Sequence, residues 1–219
     1  MEPGQHIDHN LEAVKVFDRL AVLYQEKYMN VDAYADDLQW LLSRLQQGAV
    51  VHDLACGPGN VSNYLLRHRP DLRLTGSDLS ENMVMLAAAA NPESGFSVMD
   101  ARLVHALPGS YDAIVVSFLL PYLSRVETDA LIGGIKDKLV ANGYVYLSFI
   151  EAPYHTSGPQ TGSRGDLVHM YFYDEAELIP VFNKYGLGIM YRSDLRMVIA
   201  NGAEVKERAI ILQPIANNI

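Results

Sequence analysis

A short strand that runs into two closely spaced glycines constrains this chain more than any other feature. The apolar stretch 49–54 leads into Ala55-Cys56-Gly57-Pro58-Gly59, and the residues after it have a helical pattern. Only glycine lets the backbone bend sharply and also lie against a ligand. In open parallel sheets such a loop lies at the carboxyl end of the first strand, where ligands bind. An ordinary tight turn also explains two glycines, so other segments of the chain are needed to distinguish a turn from a ligand-binding loop.

Strand-like and helical segments alternate after this loop. The four further strand-like segments are 72–77, 96–99, 111–117 and 144–150. Ser80 is a candidate N-cap of one intervening helix, and Ser124 with Glu127 has the capping-box spacing that opens another, which we expect to run through Leu139 and stop at Asn142-Gly143. Strands separated by helices predict a parallel sheet with right-handed crossovers.

The two ends of the chain have other patterns. Apolar residues recur at helical spacing in 11–28 and in 34–45, which predicts two amphipathic helices before the first strand. Residues 151–164 are rich in Pro, Gly, Ser and Thr and are predicted to form a loop. Asp174 opens a helix that ends near Gly186. The remaining strand-like segments are 187–191, 195–200 and 208–212, with a turn at Asn201-Gly202 between the last two, so this end is predicted to be antiparallel.

A carboxylate after the second strand indicates which ligand the glycine loop holds. Asp78 follows the glycines by about 20 residues, where an acid commonly accepts both ribose hydroxyls of an adenosine cofactor. A dinucleotide fold would have a third glycine where this chain has Ser62, and the charge of Asp53 would oppose a pyrophosphate. A cationic or zwitterionic ligand suits these residues better. A nicotinamide-dependent oxidoreductase and a non-catalytic cofactor-binding regulator remain the alternatives.

Taken together, these motifs resemble the class I S-adenosylmethionine-dependent methyltransferases. The resemblance lies in Asp53-Leu54-Ala55-Cys56-Gly57-Pro58-Gly59, in Ser77-Asp78-Leu79-Ser80 with Met83, in 99–101 and in 111–117, and it spans about 50–150. Many members carry glycine at the position of Ala55. The resemblance implies an α/β fold, a Rossmann-like three-layer sandwich. Its sheet would be mostly parallel and seven-stranded, with an antiparallel C-terminal strand and additional N-terminal helices. The implied cofactor is S-adenosyl-L-methionine, with S-adenosyl-L-homocysteine as its product.

The resemblance also implies a role for each matching residue. The residues that would hold the methionine part of the cofactor are Asp53, Ala55, Gly57 and Gly59. Those that would hold the adenosine are Asp78 at the ribose, and Leu79, Met83, Asp100 and Ala101 at the adenine. Those that would border the methyl-bearing sulfur are Ser117 and Phe118, with Tyr24 contributed by an N-terminal segment that covers the cofactor. We therefore divide the chain into a helical cap or lid, 1–48, and a methyltransferase domain, 49–219.

The reaction implied is an in-line displacement of the sulfonium methyl group by a small-molecule acceptor, which needs alignment and exclusion of water. A general base would help where the acceptor is protonated. The catalytic candidates are His155 and His169, although a surface or packing role is the commoner one for a single histidine. Glu151 and Tyr171 are further candidates, and Arg164 is either an anchor for an acidic acceptor or a solvated cation.

Composition excludes several other classes. The formal charge is −9 and the 17 Lys and Arg are scattered, so binding to nucleic acid is not expected. Cys56 is the single cysteine, which excludes an internal disulfide and a zinc finger. The chain starts without a signal-peptide pattern and has no apolar run of about 20 residues, so we expect a cytoplasmic protein without a membrane span. No metal is expected, and a homodimer is compatible with the sequence.

Overall fold

The computed structural model describes residues 7–162, 164–198 and 204–215. Its α-helices are α1 (His9–Arg19), α2 (Ala21–Tyr28), α3 (Ala35–Leu42), α4 (Asn60–His68), α5 (Glu81–Ala90), α6 (Arg125–Lys138) and α7 (Glu175–Lys184). Its strands are β1 (Val50–Leu54), β2 (Arg73–Asp78), β3 (Gly95–Val98), β4 (Tyr111–Ser117), β5 (Leu139–Ile150), β6 (Gly158–Thr161), β7 (Leu167–Met170), β8 (Leu187–Val198) and β9 (Glu204–Pro214). Short 3-10 turns occur at Asp32–Tyr34, Ala101–Ala106, Leu120–Tyr122 and Tyr154–Thr156.

Seven of the strands form one sheet in the order β3-β2-β1-β4-β5-β9-β8. The pairs β1–β2, β1–β4, β2–β3 and β4–β5 are parallel, and β9 lies antiparallel between β5 and β8. The chain therefore enters the sheet near its centre with β1 and continues outward through β2 and β3. It then adds β4 on the other side of β1. The carboxyl ends of β1, β2 and β4 consequently meet at one edge, the position at which open sheets of this type bind ligands.

Helices cover both faces of the sheet, because successive strand side chains point to opposite sides. On β4, Ile114 and Val116 pack with α6 and α7 in one fully buried cluster. Ala113 and Val115 pack with α3 and α4 in a second cluster on the other face. The expected three-layer sandwich, with a mostly parallel seven-stranded sheet and an antiparallel strand near the C-terminus, is confirmed.

Local signals placed several elements correctly. The side chain of Ser80 accepts a hydrogen bond from the Met83 backbone N–H at the start of α5. Ser124 and Glu127 form the reciprocal capping box of α6. The predicted bounds of the fourth strand are those of β4.

Four expectations about elements were wrong. The single helix expected in 11–28 is divided into α1 and α2, because Leu20 (φ −101°, ψ 12°) leaves the helical geometry while the apolar spacing continues through it. Helix α6 ends at Lys138, since Leu139 is already extended and pairs with Tyr111 of β4. The segment expected as a loop contains β6, which pairs with β7 in a separate hairpin. The segments 187–191 and 195–200 are one strand through Val198.

The predicted turn at Asn201-Gly202 lies outside the described residues. Within the described ranges, no helix is long and apolar enough to cross a membrane.

Candidate active site

The loop after β1 has the backbone conformation that its glycines predicted. Gly57 (φ +53°) and Gly59 (φ +75°) are left-handed, and so is Ala55 (φ +56°), at the position where glycine is common in the resembling family. A side chain in this conformation is strained, and Ala55 carries that strain without losing the turn. The Cys56 N–H donates to the Ser77 carbonyl at 2.9 Å, which fixes the loop to the end of β2.

Asp78, the last residue of β2, faces this loop. One carboxylate oxygen accepts a hydrogen bond from the Gly57 N–H at 2.9 Å, and the other accepts one from the Ser80 N–H at 2.9 Å. Burial raises the pKa of Asp78, and these backbone donors act in the opposite direction. Each oxygen retains a lone pair, so the carboxylate is held in place and can still accept hydrogen bonds.

Asp53 is the most deeply buried acid of the site, with 1% of its surface exposed. Its Oδ2 accepts a hydrogen bond from the Ser62 hydroxyl at 2.6 Å, whereas its Oδ1 has no partner among the described residues. Burial raises the pKa of Asp53 to about 7. A buried carboxylate oxygen without a donor fits a site that receives a cationic group.

A cavity with an empty volume of about 720 Å³, part of it open to solvent, lies beside these residues. Ten of the predicted cofactor-binding residues line it. From the loop and strand ends these are Ala55, Gly57, Asp78, Ser117 and Phe118. From the segments that follow β2 and β3, and from α2, they are Leu79, Met83, Asp100, Ala101 and Tyr24.

Two predicted residues, Asp53 and Gly59, do not line the cavity. Asp53 lies behind the loop, and Ala55 and Gly57 form the wall. Gly59 is the N-cap of α4, where an added Cβ would lie 2.6 Å from the Asn91 side chain and 3.0 Å from the Ala87 backbone. By contrast, an added Cβ on Gly57 would meet only Tyr24, at 4.0 Å, so it would occupy cavity space. Their cofactor-binding roles stay predictions.

Asp100, which the resemblance assigns to the adenine, has a partner that the sequence did not reveal. Its carboxylate accepts hydrogen bonds from the Arg102 guanidinium at distances down to 2.7 Å and caps the turn that follows. The same guanidinium pairs with Asp8 and Glu127, each at 2.9 Å. Asp100 thus lines the cavity with much of its hydrogen-bonding capacity already used.

The N-terminal helices close one side of the cavity. Asn10, Ala13, Val14 and Phe17 of α1 line it, although sequence reasoning assigned them no role. Asp18, at the end of α1, accepts hydrogen bonds from the Ser80 hydroxyl at 2.6 Å and from the Asn82 N–H at 3.1 Å. Helix α1 is therefore fastened to the start of α5 beside Asp78. The helical spacing of apolar residues in α1 was evident from the sequence, but the cavity that its apolar face covers was not.

The predicted catalytic histidines lie away from the cavity wall. His155 is exposed in a short turn. His169, on β7, stacks on His9 of α1 with ring centroids 4.0 Å apart, and burial followed by His9 lowers its pKa. Both roles as general base stay predictions.

Comparison with known proteins agrees with this geometry. The family described as "Methyltransferase domain" matches residues 51–143, which include most of β1, the glycine loop and Asp78. Residues 51–143 therefore match a methyltransferase domain. The family resemblance is thereby confirmed, and S-adenosylmethionine is the cofactor of this kind of domain.

Individual relatives are more distant. A demethylmenaquinone methyltransferase from Thermotoga maritima is 32% identical over 112 residues, which are 48% of this chain and 48% of the relative. The chain thus matches about half the length of that relative. The structure of magnesium protoporphyrin IX methyltransferase from Synechocystis PCC 6803 with bound cofactor has a TM-score of 0.68 at 19% identity, covering 95% of this chain and 99% of the other. The cyclase SpnF has a TM-score of 0.72 at 15% identity, covering 98% of each chain. These two likenesses show the fold alone.

Proposed function

We propose that this protein binds S-adenosylmethionine in the 720 Å³ cavity and transfers its methyl group to a small-molecule acceptor. One observation carries the proposal. Asp78 is fixed by the backbone N–H groups of Gly57 and Ser80 at the cavity wall, with acceptor capacity left on both oxygens. A vicinal diol such as a ribose supplies the two donors that this carboxylate lacks.

The remaining contacts follow from what lines the cavity. The left-handed backbone at Gly57 leaves room for the methionine part of the cofactor. Asp53, behind the loop, has one carboxylate oxygen without a partner among the described residues, and in our proposal it attracts the ammonium group from behind the cavity wall. Leu79 and Met83 offer apolar surface to the adenine, and Ala101 offers a backbone N–H.

When bound, the cofactor supplies a methyl carbon on a sulfonium, which leaves as a neutral thioether when an acceptor lone pair attacks in line. The protein's part is to align the two molecules and to exclude water. Phe17 and Tyr24 serve this purpose in our proposal, since they close the cavity from the side of α1 and α2. We keep 1–48 as the cap and 49–219 as the catalytic unit, with α3 joining the cap to the sheet through its packing in the core.

A small acceptor is supported by the relatives. Two of them are named for their acceptors, demethylmenaquinone and magnesium protoporphyrin IX. These acceptors differ in chemistry and share only that they are small molecules. The cavity is covered by α1 and α2 on one side, which suits a small molecule better than a polymer.

The test is a titration followed by a turnover assay. S-adenosylhomocysteine should bind in calorimetry while NADH gives no heat beyond dilution, and radiolabelled methyl from S-adenosylmethionine should enter a metabolite extract. Binding of NADH in preference to S-adenosylhomocysteine would contradict the cofactor. Cofactor binding without any methyl transfer would favour a regulator.

A further inference from the structure

A second, smaller cavity lies beyond the Phe118 side of the cofactor cavity. It measures about 180 Å³, and Phe118 lines both cavities. The backbone of Phe118 is left-handed (φ +54°), a strained conformation for an aromatic residue and one that recurs at functional sites. The polar residues that line the second cavity are Tyr34, Asp37, Ser148, Ser193, Glu207 and Arg208.

Glu207 is an acid of this cavity that lies on the central sheet, near the edge that borders the cofactor cavity. It lies on β9 opposite Ile150, the last residue of β5, so it stands at the carboxyl edge of the parallel strands. Its Oε2 accepts a hydrogen bond from the Tyr34 hydroxyl at 2.6 Å. The Tyr34 ring in turn packs edge-on against Phe118, with centroids 5.7 Å apart. The other oxygen of Glu207, Oε1, has no hydrogen-bond partner among the described residues.

Electrostatics connect Glu207 with the cofactor cavity. Burial raises the pKa of Tyr24, and the nearby groups that add to this are Tyr28, Asp78 and Glu207. The pKa of Tyr24 is therefore raised by one acid of each cavity, Asp78 on the cofactor side and Glu207 beyond Phe118. Burial also raises the pKa of Glu207, which makes this carboxylate a better proton acceptor than an exposed one.

The described walls of the two cavities contain negative charge that no cation neutralises. Among the described residues, Asp37 accepts hydrogen bonds only from the hydroxyls of Tyr191 and Ser193, and Glu207 only from that of Tyr34. Arg208 is the one basic residue among the described residues that line either cavity. Its guanidinium is already paired with Glu151 at 2.8 Å, with Asp194 at 3.0 Å and with Glu175. A carboxylate ligand would find no free positive charge here, whereas a cationic ligand would find two carboxylates.

We propose that the acceptor is an amine whose nitrogen enters the cavity beyond Phe118, where Glu207, oriented by Tyr34, binds this nitrogen and removes its proton. The inference rests on the proposed methyl transfer, because it places the acceptor beside that reaction. In the proton step, an N–H bond of the ammonium group breaks and its electron pair stays on nitrogen. The proton forms an O–H bond with Oε1 of Glu207 and later passes to water. The nitrogen is then a neutral nucleophile on the Phe118 side of the cofactor.

The experiment uses three probes that share a phenyl ring and differ in charge, on the complex with S-adenosylhomocysteine. Calorimetric titration with benzylamine, a cation at pH 7, should give at least tenfold tighter binding than benzyl alcohol or benzoate. Glu207→Gln should weaken benzylamine at least tenfold and leave the affinity for S-adenosylhomocysteine within twofold. Tyr34→Phe, which keeps the carboxylate and removes its orienting donor, should weaken benzylamine about threefold. Glu93→Gln, at an exposed acid, is the matched control and should change nothing.

The outcomes separate the two proposals. Equal affinity for the three probes, or unchanged benzylamine binding in both Glu207→Gln and Tyr34→Phe, would overturn the amine inference and leave the cofactor site intact. If wild-type protein failed to bind S-adenosylhomocysteine at all, the proposed function would fall first, and this inference with it. Should Glu207→Gln not fold, Tyr34→Phe alone decides.

Discussion

Replacing Asp78 by alanine tests the cofactor site at the residue on which its geometry depends. In the protein, each Asp78 oxygen uses one lone pair on a backbone N–H, of Gly57 or of Ser80, and keeps one for a ribose hydroxyl. Hydrogen bonds to a charged group contribute about 1.5–3 kcal/mol. Losing even one of the two ribose bonds should weaken S-adenosylhomocysteine binding roughly 10- to 150-fold, at about 1.4 kcal/mol per tenfold change, and losing both should weaken it further.

The assay is isothermal titration calorimetry, with circular dichroism and a thermal melt to establish that the variant is folded. Asp78→Asn should fall at the lower end of the range, because the amide keeps one acceptor oxygen. Glu93→Ala is the control, since this exposed acid lies outside the cavity. A folded Asp78→Ala protein that binds within twofold of wild type would refute the assignment of Asp78 to the ribose.

Three further predictions concern the glycine loop and the acid before it. Gly57→Val should abolish detectable cofactor binding because its side chain enters the cavity, whereas Gly109→Val, with a similar left-handed backbone (φ +69°) and no neighbour within 4 Å, should bind normally; equal titrations would contradict this. Gly59→Ala should instead lower the unfolding free energy by about 1–3 kcal/mol in denaturant titration, since its Cβ would press on α5, and an unchanged midpoint would oppose that view. Because burial raises the pKa of Asp53 to about 7, the folded state binds this proton more tightly than the unfolded chain. The stability of wild type should therefore fall as the pH rises from about 4 to about 7, relative to Asp53→Asn, and parallel stability curves would count against a buried Asp53 with a raised pKa.

Much of the fold could be predicted because its signals are local in sequence. The alternation of apolar and helical segments gave the parallel part of the sheet, and the caps at Ser80 and Ser124 gave helix starts. Strand β4 is buried on both faces, so its apolar run marks both of its ends. The hairpin of β6 and β7 was missed because its Gly- and Pro-rich composition is that of a loop.

The site was predictable where its residues follow the ends of neighbouring parallel strands. The loop from Ala55 to Gly59 and the acid Asp78 belong to neighbouring strand ends, and their meeting follows from the parallel topology. Phe17 and Glu207 reach the site from α1 and from β9, so only tertiary packing brings them there. The hydrogen bond from Arg102 to Asp100 is likewise not evident from the spacing of residues in the sequence. In our proposal, Arg102 competes with the adenine for the Asp100 carboxylate.

The most direct test of the account is a crystal structure of the protein with S-adenosylhomocysteine. The account predicts electron density for the ribose within hydrogen-bonding distance of Asp78, and for the sulfur beside Phe118 in the cavity under α1. Density for the ligand at any other place, or a ribose turned away from Asp78 into solvent, would contradict it.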